Sequence, residues 1–241
     1  MPGVKRTACA FGACSIGLRG IGNFPPSLHL MTDITQIRMT YNSRGLDLPA
    51  NVDPIFLLKS WLDDAIAAGI PEPNAMSLST VDPLGQPSSR MVLLRGISDN
   101  GLDFFTNYTS RKAIELAENP QVALLFYWPQ MHRQVRIEGT ATFTTQEDSD
   151  AYFHSRPRDH QIGAWASPQS ASIPDRKAIE ENVNRYQKHF DNKDVPRPSF
   201  WGGYKVTVQK LEFWQGRESR LHDRYRFQKT QHGWKSERLA P

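Results

Sequence analysis

Apolar residues recur at helical spacing from Ile55 to Ala68, and the run carries its own boundaries: Asp53 at the N-cap position, Pro54 in the first turn and Gly69 as the stop. This predicts a helix. From Ala75 the period changes to that of a strand. Ala75 to Val81 and Ser88 to Gly96 flank the turn Asp82-Pro83-Leu84-Gly85, a hairpin pattern, and a second turn at Ser98-Asp99-Asn100-Gly101 leads into Leu102 to Asn107. Three consecutive antiparallel strands, a meander, are expected. Ser110 to Glu118 reads as a short helix closed by Asn119-Pro120, followed by strands Val122 to Tyr127 and Gln134 to Phe143. Helices are then expected at Gln146 to Ser155, Asp159 to Ala166 and Asp175 to Phe190. The remaining runs, Trp201 to Val208, Lys210 to Gln215, Arg224 to Gln228 and Trp234 to Arg238, read as four strands. Many strands at regular spacing with a few inserted helices predict an α+β, mainly β, fold: an antiparallel barrel with peripheral helices.

Composition narrows the class of function. With 241 residues, 39% apolar and 22% charged, the chain can build one substantial core. The net charge of +4 is small and no long Lys/Arg block occurs, so scattered arginines point to small anions and not to nucleic acid. Both cysteines, Cys9 and Cys14, precede Ser15, so the fold needs no disulfide and cysteine is not its nucleophile. No run of about 18 apolar residues predicts a membrane helix. The first thirty residues contain no Asp or Glu, and their charges are Lys5, Arg6 and Arg19. An organelle targeting peptide and a true start at Met31 both fit that composition. The expectation is a disordered extension over 1–30, a single domain over 31–241 and a cytoplasmic location.

The candidate chemistry is anion binding. If Arg220-Leu221-His222-Asp223-Arg224 is extended, Arg220, His222 and Arg224 share one face, a row of potential cations that asks for a phosphorylated or carboxylated ligand. Asn107-Tyr108-Thr109-Ser110-Arg111-Lys112 enters a helix, where free N–H groups, two hydroxyls and two basic side chains make a phosphate cradle; a plain Ser N-cap with two solvated cations fits equally well. Arg90 and Arg95 end an apolar strand five residues apart. They lie on opposite faces of a regular strand, and a bend or bulge would bring both to one ligand. Tyr152 stands one helical step before Arg156, in a loop that continues to His160. Gln134, Gln169 and Ser170 add neutral donors and acceptors. The seven histidines are dispersed without a ligand pair, which leaves no metal site, and no nucleophile elbow, Walker loop or dinucleotide fingerprint occurs. So many phosphate-type donors exceed the needs of one small phosphate, and a cofactor plus a substrate fit better.

From Ile37 to Pro241 the chain resembles the pyridoxine/pyridoxamine 5′-phosphate oxidases. The resemblance rests on Arg90-Met91-Val92-Leu93-Leu94, Phe104-Phe105-Thr106-Asn107, Ser110-Arg111-Lys112 and Arg133-Gln134-Val135. It continues through Tyr152-Phe153-His154-Ser155-Arg156-Pro157, Gln161-Ile162-Gly163-Ala164, Phe200-Trp201-Gly202-Gly203 and Phe213-Trp214-Gln215-Gly216. Arg220-Leu221-His222-Asp223-Arg224 and the Arg238-Leu239-Ala240-Pro241 terminus complete it. It implies a split β-barrel homodimer of the FMN-binding type, with FMN at the subunit interface. FMN would be held by Arg90, Met91, Val92, Leu93, Leu94 and Arg95, by Phe105, Thr106, Arg111 and Lys112, and by Gln134, Gln169, Ser170, Trp214 and Arg224. The substrate phosphate would meet Arg95, Tyr152, Arg156 and His160. Arg220, Leu221 and His222 would hold the pyridine ring, with Arg220 and His222 as the catalytic pair, and Arg38 and Tyr41 match part of an N-terminal lid.

There are three departures from the family pattern: Arg95 where Lys is usual, His160 where Ser is usual, and the pair Met39 and Thr40 where charged residues are common. The resemblance implies oxidation of pyridoxine and pyridoxamine 5′-phosphates by hydride transfer to FMN, with O₂ reoxidising the flavin to give H₂O₂. Two other readings stay open at this point, a related split-barrel flavin oxidase acting on another aromatic and a non-catalytic FMN or pyridoxal phosphate carrier.

Overall fold

The computed structural model describes residues 39–49, 51–99 and 101–241. The expected extension over 1–30, and Arg38, lie outside the described residues. Helix α1 spans Pro54–Ala67, with the Asp53 carboxylate accepting from the N–H groups of Ile55 and Phe56 and Gly69 at φ +67° ending it. Its apolar stripe, Ile55, Leu58, Trp61 and Ala65, is buried.

Strands β1 (Ala75–Val81) and β2 (Pro87–Leu93) form the expected hairpin, with Asp82 Oδ1 accepting from Leu84 and Gln86 N–H across the turn. The meander does not continue. β3 (Gly96–Ser98) pairs with β4 (Gly101–Asn107), and β4 pairs not with β2 but with β7 (Trp201–Gln215). The full order is β2-β1-β5-β6-β7-β4-β3, where β5 is Gln121–Trp128 and β6 is Arg133–Phe143. β2 and β3 are the two ends of that order, yet only Leu94 and Arg95 separate them in the chain. One short kinked segment therefore joins the two sheet edges: Leu94 N–H donates to Asn74 O on one side and Arg95 N–H to Asp103 O on the other. This curls the sheet into the split barrel.

β7 is one strand of 15 residues where two were expected. Its register against β6 shifts between Glu138 and Gly139, leaving Gln209 as the extra residue of a bulge, and that interruption of alternation is what divided the sequence pattern. The first half of β7 pairs with β4 and the second with β8 (Asp223–Thr230), which pairs in turn with β9 (Gly233–Leu239). Alternation fills the barrel: Val122, Leu124, Phe126 and Trp128 of β5 point inward and are buried, against Val135, Ile137, Leu211 and Phe213. A second, smaller core of Phe153, Ile162, Phe190, Val195 and Trp201 joins helices α3 (Gln146–Ser155), α4 (Arg158–Ala166) and α5 (Arg176–His189) to the start of β7. Residues Thr40–Pro241 form one compact unit. Among the described residues no helix is long and apolar enough to cross a membrane.

Candidate active site

A cavity of about 900 Å³ opens where the β2–β3 kink, β4, the helix α2 (Arg111–Glu118) and the α3–α4 corner meet. Its wall contains Arg90, Met91, Val92, Leu93 and Arg95 from the kinked segment, and Phe105 and Thr106 from β4. Lys112, Tyr152, Arg156 and His160 come from the helices, and Gln169 and Ser170 from the loop after α4. The kink solves the problem of opposite faces, because the chain changes sheet edge between Arg90 and Arg95 and both reach the same cavity.

The electrostatics are one-sided. Four cations line the cavity, Arg90, Arg95, Lys112 and Arg156, against one acid, Asp159. Among the described residues only Arg90 of the four has a carboxylate partner: its guanidinium lies 3.3 Å from Glu115 Oε2 and donates to Thr80 Oγ1 (2.5 Å), Ser88 Oγ and Leu78 O. Burial pushes Glu115 upward, but hydrogen bonds from Thr80, Ser88 and Arg111 and the charge of Arg111 outweigh it and hold the carboxyl down at about 2. Lys112 is buried and donates only to neutral oxygens, Thr106 Oγ1 (3.1 Å), Ser110 Oγ (3.1 Å) and Gln169 Oε1 (3.2 Å). Burial, with Arg90 nearby, lowers its pKa to about 8 despite the opposing pull of Glu115. Arg156 lies 4.5 Å over the Trp201 ring with its Nη1 buried and unpartnered, and burial lowers its pKa, with Arg95 adding to the effect. Arg95 sits 5.7 Å over Tyr152, whose ring stacks on Phe105 at 4.0 Å. The cations thus form two groups, Arg90 with Lys112 and Arg95 with Arg156.

Several expected residues lie elsewhere. The helix-terminus cradle is only partly formed: Arg111 turns back to Glu115 (2.7 Å), Ser110 Oγ accepts from Lys112, and Thr109 Oγ1 donates to Asn107 Oδ1. Adjacent residues on a helix diverge by about 100°, so Lys112 enters the cavity and Arg111 does not. Leu94 is buried in the barrel core. Gln134, Trp214 and Arg224 are direct cross-strand partners on β6, β7 and β8, so they share one sheet face, and none of them lines the cavity. Arg224 is paired, donating to Glu212 Oε1 (2.9 Å) and Ala240 O (2.9 Å).

The shared face of Arg220, His222 and Arg224 requires correction. The stretch is not extended: Glu218–Arg220 is a single 3₁₀ turn, and Ser219 and Arg220 take φ of 55° and 62°. Strand geometry begins only at Asp223, so period-2 reasoning does not reach back to Arg220. His222 instead joins Trp214 (4.6 Å) and Tyr41 (5.5 Å) in an aromatic cluster that also includes His132, 4.9 Å from Tyr41. Leu221 is exposed. Glu115, His132 and Arg217 belong to these two regions and were not singled out by sequence, while Trp201, which lines the cavity, was quoted only within the Phe200-Trp201-Gly202-Gly203 block. Glu115 alone carried a signal, its i, i+4 spacing from Arg111.

Residues 62–190 match the family model of pyridoxamine 5′-phosphate oxidase, and residues 201–241 match that of the pyridoxine 5′-phosphate oxidase C-terminal dimerisation region. A pyridoxine/pyridoxamine 5′-phosphate oxidase of Cupriavidus taiwanensis is 50% identical over 214 residues, covering 88% of this chain and 100% of that one. Among solved structures, PhzG from Burkholderia lata, in complex with tetrahydrophenazine-1-carboxylic acid, superposes with a TM-score of 0.75 at 33% identity, covering 81% of this chain and 95% of that one. A pyridoxamine 5′-phosphate oxidase-related, FMN binding protein from Nostoc punctiforme shares the fold at a TM-score of 0.64 and 17% identity, over 80% of this chain and 100% of that one. With a family model over more than half its length and half of 214 aligned residues shared with a relative matched end to end, the chain belongs to the pyridoxine/pyridoxamine 5′-phosphate oxidase family of oxidoreductases.

Proposed function

We propose that the protein is a homodimeric, FMN-dependent oxidase that converts pyridoxine 5′-phosphate and pyridoxamine 5′-phosphate to pyridoxal 5′-phosphate. The observation that carries this reading is the pair of cation groups in one cavity, three of whose four cations have no carboxylate partner among the described residues. Cations grouped without carboxylates attract anions, and two groups match two phosphates. The residues fit FMN: Arg90, Lys112, Thr106 and Gln169 would hold its phosphate, and the apolar edge Met91-Val92-Leu93 would lie along its ring. Bound there, FMN would accept a hydride from the substrate's C4′ carbon and return the electrons to O₂ as H₂O₂. The amine substrate would also release ammonia on hydrolysis.

The chain's own part is binding and orientation. Arg95, Arg156, Tyr152 and His160 would fix the substrate phosphate, using the unpartnered Nη1 of Arg156. Gln134, Trp214, Arg224, Arg220 and His222 lie outside that cavity, and we assign them to the site of the other protomer. The outer sheet face between the two regions supports this, because Met91, Leu125 and Tyr127 remain exposed there. Holding the pyridine ring at hydride distance is worth several orders of magnitude in rate, and it is the role we give Arg220 and His222.

A second reading, an oxidase acting on a larger aromatic acid, is favoured by the likeness to PhzG, whose solved structure is a complex with tetrahydrophenazine-1-carboxylic acid. A single carboxylate would leave one cation group unmatched. The test is the visible spectrum of the purified protein, followed by oxygen uptake with pyridoxine 5′-phosphate, pyridoxamine 5′-phosphate and unphosphorylated pyridoxine. A yellow protein active on the two phosphates is expected. Uptake with pyridoxine alone, or only with a tricyclic aromatic acid, overturns the assignment.

A further inference from the structure

The ring of His222 is held by a main-chain group. The N–H of Arg217 donates to His222 Nδ1 at 3.1 Å. A backbone N–H always carries its hydrogen and cannot accept, so Nδ1 must present a lone pair and the proton of the neutral ring must sit on Nε2. His222 Nε2 has no partner among the described residues, while the ring is wedged between Trp214 and Tyr41. The donor is itself clamped. Arg217 Nη1 lies 3.2 Å from Asp223 Oδ2, the same oxygen that accepts from Leu46 N–H (3.0 Å), and Asp223 Oδ1 takes Arg238 Nη2. Asp223 thereby closes the 217–223 loop across two left-handed residues, Ser219 and Arg220, a conformation that strain would otherwise release.

We propose that Arg217 N–H fixes His222 as the Nε2–H tautomer, so that His222 is a hydrogen-bond donor to the substrate and not the base that accepts its proton, with Asp223 as the positioning residue that keeps the loop in this state. The claim that the donor meets substrate rests on the function proposed above; the tautomer does not. The titratable and charged groups around the ring are Arg217, Arg220 and Asp223 on its own loop, Tyr41 on the segment packed over it and His132 beyond Tyr41. Burial and the charge of Arg220 lower the His222 pKa, in keeping with a neutral ring. Protonation at Nδ1 would turn that atom into a second donor facing Arg217 N–H and break the contact.

The test uses the full-length, cofactor-bound protein labelled with ¹⁵N-histidine, with His222 assigned by the signal lost in His222→Gln. Long-range proton–nitrogen spectra should show Nε2 protonated and Nδ1 bare at neutral pH, and Asp223→Asn should produce a mixture of tautomers. A His222 ring protonated at Nδ1 in the parent protein overturns the proposal whatever the substrate. The second arm is the pH profile of kcat/KM for oxygen uptake. The Gln side chain can donate from its own Nε2, so His222→Gln should lose no more than about tenfold and lose the acid limb, whereas His222→Ala should lose about a hundredfold. Equal inactivity of Gln and Ala variants would make His222 the base and refute the donor role. Absence of uptake by the parent protein would refute the substrate assignment while leaving the tautomer result standing.

Discussion

Glu115→Gln isolates the carboxylate on which the cation cluster is built. Glu115 is buried, accepts from Thr80 and Ser88, and pairs with both Arg90 (3.3 Å) and Arg111 (2.7 Å). These partners hold its pKa at about 2 against an ordinary 4.5. At 1.36 kcal/mol per pKa unit that difference corresponds to about 3 kcal/mol of stability. The sign follows from the depressed value: the contribution is complete above pH 4.5 and is lost as pH falls towards 2. Gln preserves the shape and leaves two guanidinium groups facing a neutral amide, so apo-protein unfolding at pH 7 should cost about 3 kcal/mol less, or a Tm lower by about 6–12 °C for a domain of this size. The measurement is urea or thermal unfolding of both apo proteins at one protomer concentration, since dimerisation and cofactor both add to apparent stability. The gap should shrink to less than half by about pH 3. The cofactor should bind the variant no more weakly, because the substitution removes a negative charge beside Arg90 and Lys112. A variant within about 0.5 kcal/mol of the parent at pH 7, the scatter of ordinary surface substitutions, or a gap that ignores pH, would refute the reasoning.

Further outcomes are expected for Lys112, Arg156, Arg220 and the dimer. Lys112→Met should weaken FMN binding, measured by quenching of flavin fluorescence, by about tenfold or more; in the parent, affinity should fall as pH rises through about 8, where Lys112 loses its proton. Because that pKa is depressed, the apo protein should also gain stability as pH rises from 8 to 10.5, where the unfolded chain holds the proton longer. Arg156→Met should raise KM for the phosphorylated substrates by about 10- to 100-fold in oxygen-uptake assays, while the apo Tm stays level or rises, since a half-buried guanidinium whose buried Nη1 has no hydrogen-bond partner is removed. Arg220→Ala should lower kcat by about a hundredfold with little change in FMN affinity, as misplacement of a reacting ring does. Diluting the protein below its dimer dissociation range should release FMN, followed as a rise in free-flavin fluorescence, because the proposed site draws on two protomers.

Local signals in the sequence carried most of the elements. Ala75–Val81 and Gln146–Ser155 have the expected bounds, because strand alternation, helix caps and turn residues act within a few positions. Pairing is not local. Only the short β3 separates β2 from β4 in the chain, yet β4 pairs with β7, a hundred residues on, and nothing within Ser88 to Asn107 encodes that partner. The long β7 strand was divided at Gln209 for a related reason: a bulge interrupts the period without ending the strand.

The site was legible in its chemistry and not in its geometry. Arginine, lysine and tyrosine at positions 90, 95, 112, 152 and 156 do converge on one cavity, and their residue types announce an anion before any fold is known. What failed at 220–224 was the assumption of an extended chain. Ser219 and Arg220 adopt left-handed conformations that neither residue type favours, and they are held there by Asp223, which draws Arg217, Arg238 and Leu46 together from three parts of the chain. A conformation imposed by distant partners leaves no mark in its own segment. The same loop carries His222, so the strain is located where a precise ring orientation is needed, and the carboxylate that maintains it lies next to the histidine in sequence. Gln134, Trp214 and Arg224 follow a parallel logic. Each is an isolated polar or aromatic position in its own strand, and only antiparallel register aligns them in one row. None of the three lines the cavity, which is why the function proposed above draws the row from the partner protomer.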